Sequence, residues 1–239
     1  MTSHVALSSK EHRDIRIRGG ASAELGDAVM ACITVPSEFR RVQNEFPILF
    51  RRDLESGRFS AVVLFGFENG ENLFLDDGRW DASYRPLALS IQPFLIGRAE
   101  DRDESEVHID LKHKRVAQAG EEGLRAFDAD GRPTPYLESV MGGLDELDQG
   151  YRSSADFFAA LERYELLEPF SFDVELRDGS SHRLVGYHLI DEEKLRALEP
   201  GAINELHSAD YLMPIFMALA SLSNLARLVE RKNQRLAHG

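Results

Sequence analysis

Strand-like and helix-like segments of this chain are grouped, and this grouping constrains the fold more than any other feature. The clearest example is the segment 170–190, in which apolar and polar residues alternate on both sides of an Asp178-Gly179 turn. No regular alternation of strand and helix follows along the chain. The pattern therefore favours an α+β fold, with a mainly antiparallel sheet built from hairpins and helices in the C-terminal half.

Segments with apolar residues at helical spacing are concentrated after residue 134. Apolar residues recur at helical intervals over 137–147, and Ser153 and Ser154 predict the start of a second helix. Asp191 precedes Glu192 and Glu193, which predicts an N-capped helix over 191–198.

The densest local pattern lies between Pro36 and Phe94. Ser37 is a candidate N-cap of a short helix, and Asn69-Gly70 has the composition of a tight hairpin turn with a return strand at 72–75. Further apolar or aromatic runs predict strands at Ala28–Val35, Phe46–Arg51, Phe59–Phe67 and Leu87–Ile96.

The last helical segment, 209–236, is apolar around most of its circumference. A membrane span needs about 20 mostly apolar residues, and Pro214, Asn224 and Arg227 interrupt this run. No membrane span is therefore expected. Such a helix is typical of a core or of a subunit interface, and a homodimer formed through 209–236 is one prediction.

The charge balance restricts the classes of partner. Lysine and arginine number 28 and aspartate and glutamate 41, so the net charge is −13 with histidine neutral. Such a surface repels the phosphate backbone of nucleic acid and the surface of an anionic membrane. We expect no nucleic-acid partner.

Cysteine content and the first residues indicate the compartment. Cys32, the single cysteine, cannot form an intrachain disulfide and lies in an apolar run, as is typical of a buried thiol. The first twenty residues lack the long apolar run of a secretory signal. We expect a cytoplasmic protein.

Five segments together resemble the bacterial SapC family. They read EFPILF (45–50), LFGFENGENLFLDDGRW (64–80), YRP with QPF (84–94), FDADGRPTPYL (127–137) and LVGYHLIDEEKLRAL (184–198). The resemblance covers most of the chain and implies one domain over 1–239, with the charged stretch 99–106 as a candidate subdomain boundary.

The resemblance carries little information about activity. The family takes its name from a protein linked to a bacterial surface layer, which implies an envelope or surface-layer accessory role. No reaction, catalytic residue or cofactor follows from the family. The chain itself contains no Gly-x-Ser-x-Gly motif and no phosphate-binding glycine loop.

Aromatic and proline residues cluster beside predicted turns, and this cluster is the candidate binding surface. Trp80, Tyr84, Pro86 and Phe94 could line a groove for a peptide or a small apolar ligand, and the alternative is a corner of the core. The leading hypothesis is a protein without catalytic activity that acts through protein–protein or small-ligand binding.

A metal site is the alternative hypothesis. His108 and Asp110 form a His-x-Asp pair whose side chains share one face of a strand. With His188 or His182 they could bind Fe²⁺ as a facial triad of a 2-oxoglutarate-type oxygenase. Solvated residues at a strand edge explain the same pattern without any metal, so no cofactor is expected under the leading hypothesis.

Overall fold

The computed structural model describes residues 4–98, 105–118 and 120–238. The strands run in the order β1 (His4–Ala6), β2 (Arg16–Ile17), β3 (Ala31–Thr34), β4 (Ile48–Arg52), β5 (Phe59–Leu64), β6 (Leu75–Asp76), β7 (Arg79–Trp80), β8 (Phe94–Arg98), β9 (Ser105–Asp110), β10 (Leu124–Arg125), β11 (Leu167–Glu175) and β12 (Ser181–Ile190). The helices are α1 (Phe39–Val42), α2 (Leu87–Ser90), α3 (Pro135–Arg163), α4 (Glu192–Arg196), α5 (Pro200–Ser208), α6 (Leu212–Ser221) and α7 (Asn224–His238).

Every strand pair in these ranges is antiparallel, and most helical residues lie in the C-terminal half. The predicted α+β class is confirmed. The chain divides into two compact units. The first comprises Met1–Ala28, Leu75–Asp81 and Arg85–Gln149, and the second comprises Val29–Phe74, Ala82–Tyr84 and Gly150–Gly239. Most of the predicted boundary at 99–106 lies outside the described residues, and the single-domain assignment stays a prediction.

The first unit contains a three-stranded sheet in the order β1-β9-β8 and two short two-stranded sheets, β10-β2 and β6-β7. Its core joins the sheet to the first part of α3. Phe94 of β8 and Ile109 of β9 are 1% and 0% exposed and belong to one apolar cluster with Leu137 and Val140 of α3. Close packing of this kind leaves little solvent-exposed area for these side chains.

The second unit contains a five-stranded sheet in the order β11-β12-β4-β5-β3. Helix α6 packs against β4 and β12 of this sheet, and α1 packs against α6. Phe50 of β4 meets Phe158 of α3 edge-on with ring centroids 6.2 Å apart. The hydroxyl of Ser221, at the end of α6, accepts a hydrogen bond of 2.8 Å from the backbone N–H of Ile48. Since side chains alternate along a strand, the neighbour of Phe50, Arg51, lies on the opposite face of this sheet.

Several predicted elements are confirmed in this unit. Strands β11 and β12 form the predicted hairpin, and Gly179 at its turn has a positive φ of 84°. The Asp191 side chain accepts a hydrogen bond from the backbone N–H of Lys194 and caps α4 as predicted.

Four predicted elements are wrong. Ser37 is not an N-cap, because it lies inside a 3-10 turn, Pro36–Glu38, that Val35 precedes. The segment 72–75 forms no hairpin with β5, because the partners of β5 are β3 and β4. Leu87–Ile96 is not one strand but helix α2 followed by β8. Ser154 does not begin a helix; its hydroxyl donates to the carbonyl of Tyr151 inside α3. A serine hydroxyl can donate to a backbone carbonyl of its own helix in this way, so a serine does not by itself mark the start of a helix.

The predicted final helix is present as two consecutive helices. Leu222 and Ser223 separate α6 from α7, and Leu225 donates its backbone N–H to the carbonyl of Leu222 at this junction. Among the described residues, Leu212–Ala237 is the one helical stretch that meets a length and hydropathy test for crossing a membrane, and 44% of its most apolar window is buried inside the fold. A core helix passes the same test, so the result does not define a span.

Candidate functional site

The predicted binding residues fall into both units, and the structure gives them different environments. In the first unit Trp80 is half-buried at the end of β7, and the guanidinium carbon of Arg85 lies 5.9 Å from the Trp80 ring centroid. Asp77 and Gly78, both with positive φ, form the two-residue turn that leads into β7. A cation over an indole face is a stabilising contact and leaves the ring edge partly exposed.

Pro86 and Phe94 are buried. Phe94 is 1% exposed in the core of the first unit, and Pro86 precedes the first residue of α2. The surfaces of these two side chains are used in packing, and a binding role for them stays a prediction.

Tyr84 belongs to the second unit, where it is half-buried. Its hydroxyl donates a hydrogen bond of 2.8 Å to the carboxyl of Glu38, which also accepts one of 2.7 Å from the Thr34 hydroxyl. Arg41 lies over the Tyr84 ring at 5.1 Å. These contacts are those of a structural anchor. A binding role for Trp80 and Tyr84 stays a prediction.

A buried ion cluster in the first unit was not foreseen. Asp27, 2% exposed, accepts hydrogen bonds of 2.8 and 2.6 Å from Arg115 and one of 2.7 Å from Arg85. Burial lowers the pKa of the Arg85 guanidinium, and Asp27 opposes that shift. Arg115 ends the basic run Lys112–Arg115, yet it is only 4% exposed.

This cluster holds backbone segments together. The carbonyl of Gly20 accepts hydrogen bonds from both Arg85 and Arg115, and the carbonyl of Arg18 accepts one from Arg115. Since both Nη atoms of each arginine are hydrogen-bonded within the protein, the cluster acts as a pin that fixes the backbone around 18–27. The Nε atoms of both arginines are buried without a hydrogen-bond partner.

The alternative metal residues have structural surroundings of their own. The His108 ring packs over Gly97 of the neighbouring strand, where a Cβ atom would lie 2.3 Å from the ring. The Asp110 carboxylate accepts a hydrogen bond of 3.0 Å from the backbone N–H of Lys112. Both residues lie in the first unit.

His188 and His182 lie on β12 in the second unit. The His188 ring meets Phe59 edge-on with centroids 4.9 Å apart, and His182 Nδ1 lies 3.1 Å from a Glu68 carboxylate oxygen. Within residues 4–98, 105–118 and 120–238, no group of three or more His, Cys, Asp or Glu side chains has a metal-binding arrangement.

One concave feature is a groove on the Arg51 face of the five-stranded sheet. Its volume is about 770 Å³, within the range of about 300–1,000 Å³ that is usual for ligand sites. We call it the sheet-face groove. Its lining residues are Met30, Ile33, Arg51, Arg52, Asp53, Leu54, Glu55, Ser60, Val62, Asn69, Val185, Gly186 and Tyr187.

Strand register places a row of hydrogen-bond donors across this groove. Arg51 of β4 is paired with Tyr187 of β12 on one side and with Ser60 of β5 on the other. Residues paired across neighbouring strands have side chains about 5 Å apart on one face. Among the described residues, none is hydrogen-bonded to the side chain of any of these three. We call them the donor row.

Two other charged side chains of the groove, those of Asp53 and Arg52, are engaged locally. The carboxylate of Asp53 accepts hydrogen bonds from the backbone N–H and the hydroxyl of Ser56; these bonds, together with nearby Arg51, lower its pKa. Arg52 Nε donates to the carbonyl of Gly57 at 2.9 Å. Both side chains thus stabilise the β4–β5 turn, and Arg51 is left to face the groove.

The remaining lining is largely apolar and partly exposed. Ile33 and Val62 are paired across β3 and β5. Leu54 at the β4–β5 turn is 97% exposed and Val185 of β12 is 60% exposed. Large apolar side chains with this much exposure beside a groove are typical of an interaction site. Burial raises the pKa of the Tyr187 hydroxyl, with Arg51 opposing the shift, so Tyr187 stays a neutral donor near pH 7.

Sequence reasoning missed this groove because it forms only when β12 pairs with β4, more than a hundred residues earlier in the chain. One local signal was present. Val185 is an apolar residue at an exposed position of β12, directly before Gly186, whose φ of 83° marks an irregularity in the strand.

Comparison with known proteins identifies the family. The SapC family model matches residues 7–228, nearly the whole chain, so this chain belongs to the SapC family. The expected resemblance is confirmed. No curated protein and no solved structure matches the chain.

Proposed function

We propose that this SapC-family protein is a binding protein without catalytic activity, and that the sheet-face groove holds an apolar segment of a partner protein that carries a carboxylate. The donor row supports this proposal most directly. Tyr187, Arg51 and Ser60 offer two hydroxyls and one guanidinium on one face of the sheet. Arginine binds a carboxylate through parallel hydrogen bonds, and neighbouring hydroxyls add further donors.

The apolar lining indicates a protein segment in preference to a small metabolite. Leu54 and Val185 line the groove and are 97% and 60% exposed, so a small ligand would leave much of their apolar surface uncovered. A peptide that crosses the groove buries these side chains as well, and burial of apolar area contributes about 25 cal/mol per Å².

A displayed library of random peptides tests this proposal. Peptides selected on the wild-type protein are expected to contain large apolar residues and at least one Asp, Glu or free C-terminal carboxylate. Hydrogen bonds to charged groups contribute about 1.5–3 kcal/mol, so Arg51→Gln is expected to weaken the selected peptides about tenfold or more. Replacing the peptide carboxylate by an amide is expected to have a similar effect.

Arg40→Gln is the matched control, because Arg40 is an exposed arginine of the same unit that does not line the groove. Val185→Glu adds a negative charge beside the donor row and is expected to abolish binding. Selected peptides that bind wild type and Arg51→Gln with equal affinity would refute the carboxylate assignment. Failure of the library to yield any peptide sensitive to Val185→Glu would refute the groove as the site.

A further inference from the structure

Helix α6 presents an apolar stripe to solvent. Its inner side is buried through Ile215, Met217 and Ala218, whereas Met213 and Phe216 are 52% and 53% exposed. These two residues are three positions apart and therefore lie on one face of the helix. No lysine, arginine, aspartate or glutamate occurs between Tyr211 and Ala226.

A small pocket adjoins the beginning of this stripe. Its volume is about 290 Å³, and its apolar lining comes from α3, α5 and the residues that follow α5. This lining consists of Ala159, Ala160, Leu206, Ala209 and Tyr211. Tyr211 is the residue before α6, so the pocket lies within about two helical turns of Phe216 along the chain.

The polar rim of the pocket has both signs of charge. The Tyr164 hydroxyl donates to Glu205 at 2.5 Å, and Arg163 lies 3.1 Å from the same carboxylate. Asp156 lies near Tyr211 and, after burial, is the second cause of the raised pKa of the Tyr211 hydroxyl. Because the rim contains both an arginine and carboxylates, a two-fold contact can place the arginine of one copy beside a carboxylate of the other.

We propose that α6 forms the interface of a symmetric homodimer, in which Phe216 of each protomer enters the alanine-lined pocket of its partner. An interface about a two-fold axis brings the same surface patch of both subunits together, so a projection and a recess that adjoin on one patch can fill each other reciprocally. The aromatic ring and the small alanine side chains have the complementary shapes that such a contact requires.

Charge favours a second copy over a lipid surface as the occupant of this face. Helices that lie on membranes carry lysine and arginine on their polar side, and anionic lipids attract such residues. Between residues 209 and 226 the chain has neither, and its net charge is −13. The uncharged stripe lets two acidic protomers approach each other without like charges in contact.

Sedimentation equilibrium of the full chain, from micromolar to submillimolar concentration, tests the dimer. The wild type is expected to reach twice the chain mass of 26.9 kDa. Phe216→Asp is expected to weaken association at least about 30-fold, the effect of losing a central aromatic contact. Circular dichroism and the thermal midpoint are expected to stay close to wild type, because the side chain is half exposed.

Two further variants separate this contact from a general apolar effect. Ala160→Phe fills the pocket and is expected to weaken association as Phe216→Asp does. Met141→Asp replaces an exposed apolar residue of α3 that lies outside the stripe, and it is expected to leave the dimer intact. A photo-crosslinking residue at position 216 is expected to join two chains at 159–160 or 206–211.

The proposal is wrong if the wild type stays monomeric throughout the concentration range. It is also wrong if Phe216→Asp and Ala160→Phe dimerise as wild type does, or if Met141→Asp abolishes the dimer. Co-sedimentation of monomers with anionic phospholipid vesicles, lost in Phe216→Asp, would assign the stripe to a membrane surface and overturn the dimer.

Discussion

The hydroxyl of Tyr84 donates a hydrogen bond of 2.8 Å to the carboxyl of Glu38, a side chain that is completely buried. A buried polar group that loses a partner contributes an unfavourable desolvation energy. This bond therefore explains why a tyrosine at position 84 is suited to a structural role in the second unit.

Tyr84→Phe is expected to lower the free energy of unfolding by about 1–3 kcal/mol, because Glu38 loses a donor while the aromatic ring is retained. Urea unfolding followed by circular dichroism measures the change. Tyr151→Phe, at a tyrosine that is 56% exposed, is the control and is expected to have little effect. A loss of peptide binding by Tyr84→Phe at unchanged stability would instead assign Tyr84 to the binding surface.

The Asp27 cluster gives a larger expected effect. Asp27→Ala leaves Arg85 and Arg115 without their shared carboxylate, and breaking a buried ion pair in this way costs about 3–5 kcal/mol. Chemical denaturation provides the measurement. Asp14→Asn, which removes the exposed partner of Arg125, is the matched control and is expected to change stability little. Equal stability of the two variants would contradict the role of Asp27 as a pin.

His188 is expected to titrate below the ordinary histidine pKa of about 6.5. Burial lowers the pKa of His188 and Arg52 lowers it further. The folded protein thus favours the neutral ring, and the unfolded chain binds more protons between the two pKa values. The contribution of His188 to the free energy of unfolding is therefore complete above about pH 6.5, and it decreases as the pH falls toward the pKa of the folded state.

NMR titration of the His188 ring in the folded protein measures this pKa, and the same ring in urea provides the reference. His113 has a pKa that burial and Arg115 lower in the same direction, so it contributes to the same loss of stability on acidification. A folded midpoint for His188 at or above that of the urea-unfolded chain would refute the prediction.

Cys32 is expected to react slowly with iodoacetamide in the folded protein near neutral pH. Burial, and secondarily Glu38, raises the pKa of its thiol well above the ordinary value, so little thiolate is present. Mass spectrometry gives a direct reading because the chain contains one cysteine. Labelling of the urea-unfolded chain is the control, and equal rates in the two states would contradict a protected thiol.

Local sequence signals predicted elements whose stabilising contacts are themselves local. The Asp178-Gly179 turn and the Asp191 cap depend on residues within a few positions of each other, and both are confirmed. The Asn69-Gly70 turn had an equally clear signal but leads to no hairpin. There the Glu71 carboxylate accepts a hydrogen bond from the backbone N–H of Phe67, and the side chain packs so closely on Gly66 that a Cβ would lie 2.8 Å away.

The proposed functional surfaces depend on the order of strands in the sheet, which local sequence patterns do not specify. The donor row exists because β4 lies between β12 and β5, so that Arg51 is paired with two residues more than a hundred positions apart. Conversely, aromatic composition alone did not distinguish Phe94 in the core from the half-buried Trp80. The family was recognisable from residues 45–198, because several motifs of modest specificity occur together.

Chemical-shift mapping with isoleucine, leucine and valine methyl labels tests the central proposal most directly. On addition of a selected carboxylate-bearing peptide, the methyl groups of Ile33, Val62, Leu54 and Val185 are expected to shift, while those of Ile109 and Leu137 in the core of the first unit stay in place. The same shifts are expected to require about tenfold more peptide in Arg51→Gln. Saturable binding that leaves the groove methyl groups unperturbed would contradict the sheet-face groove as the binding site.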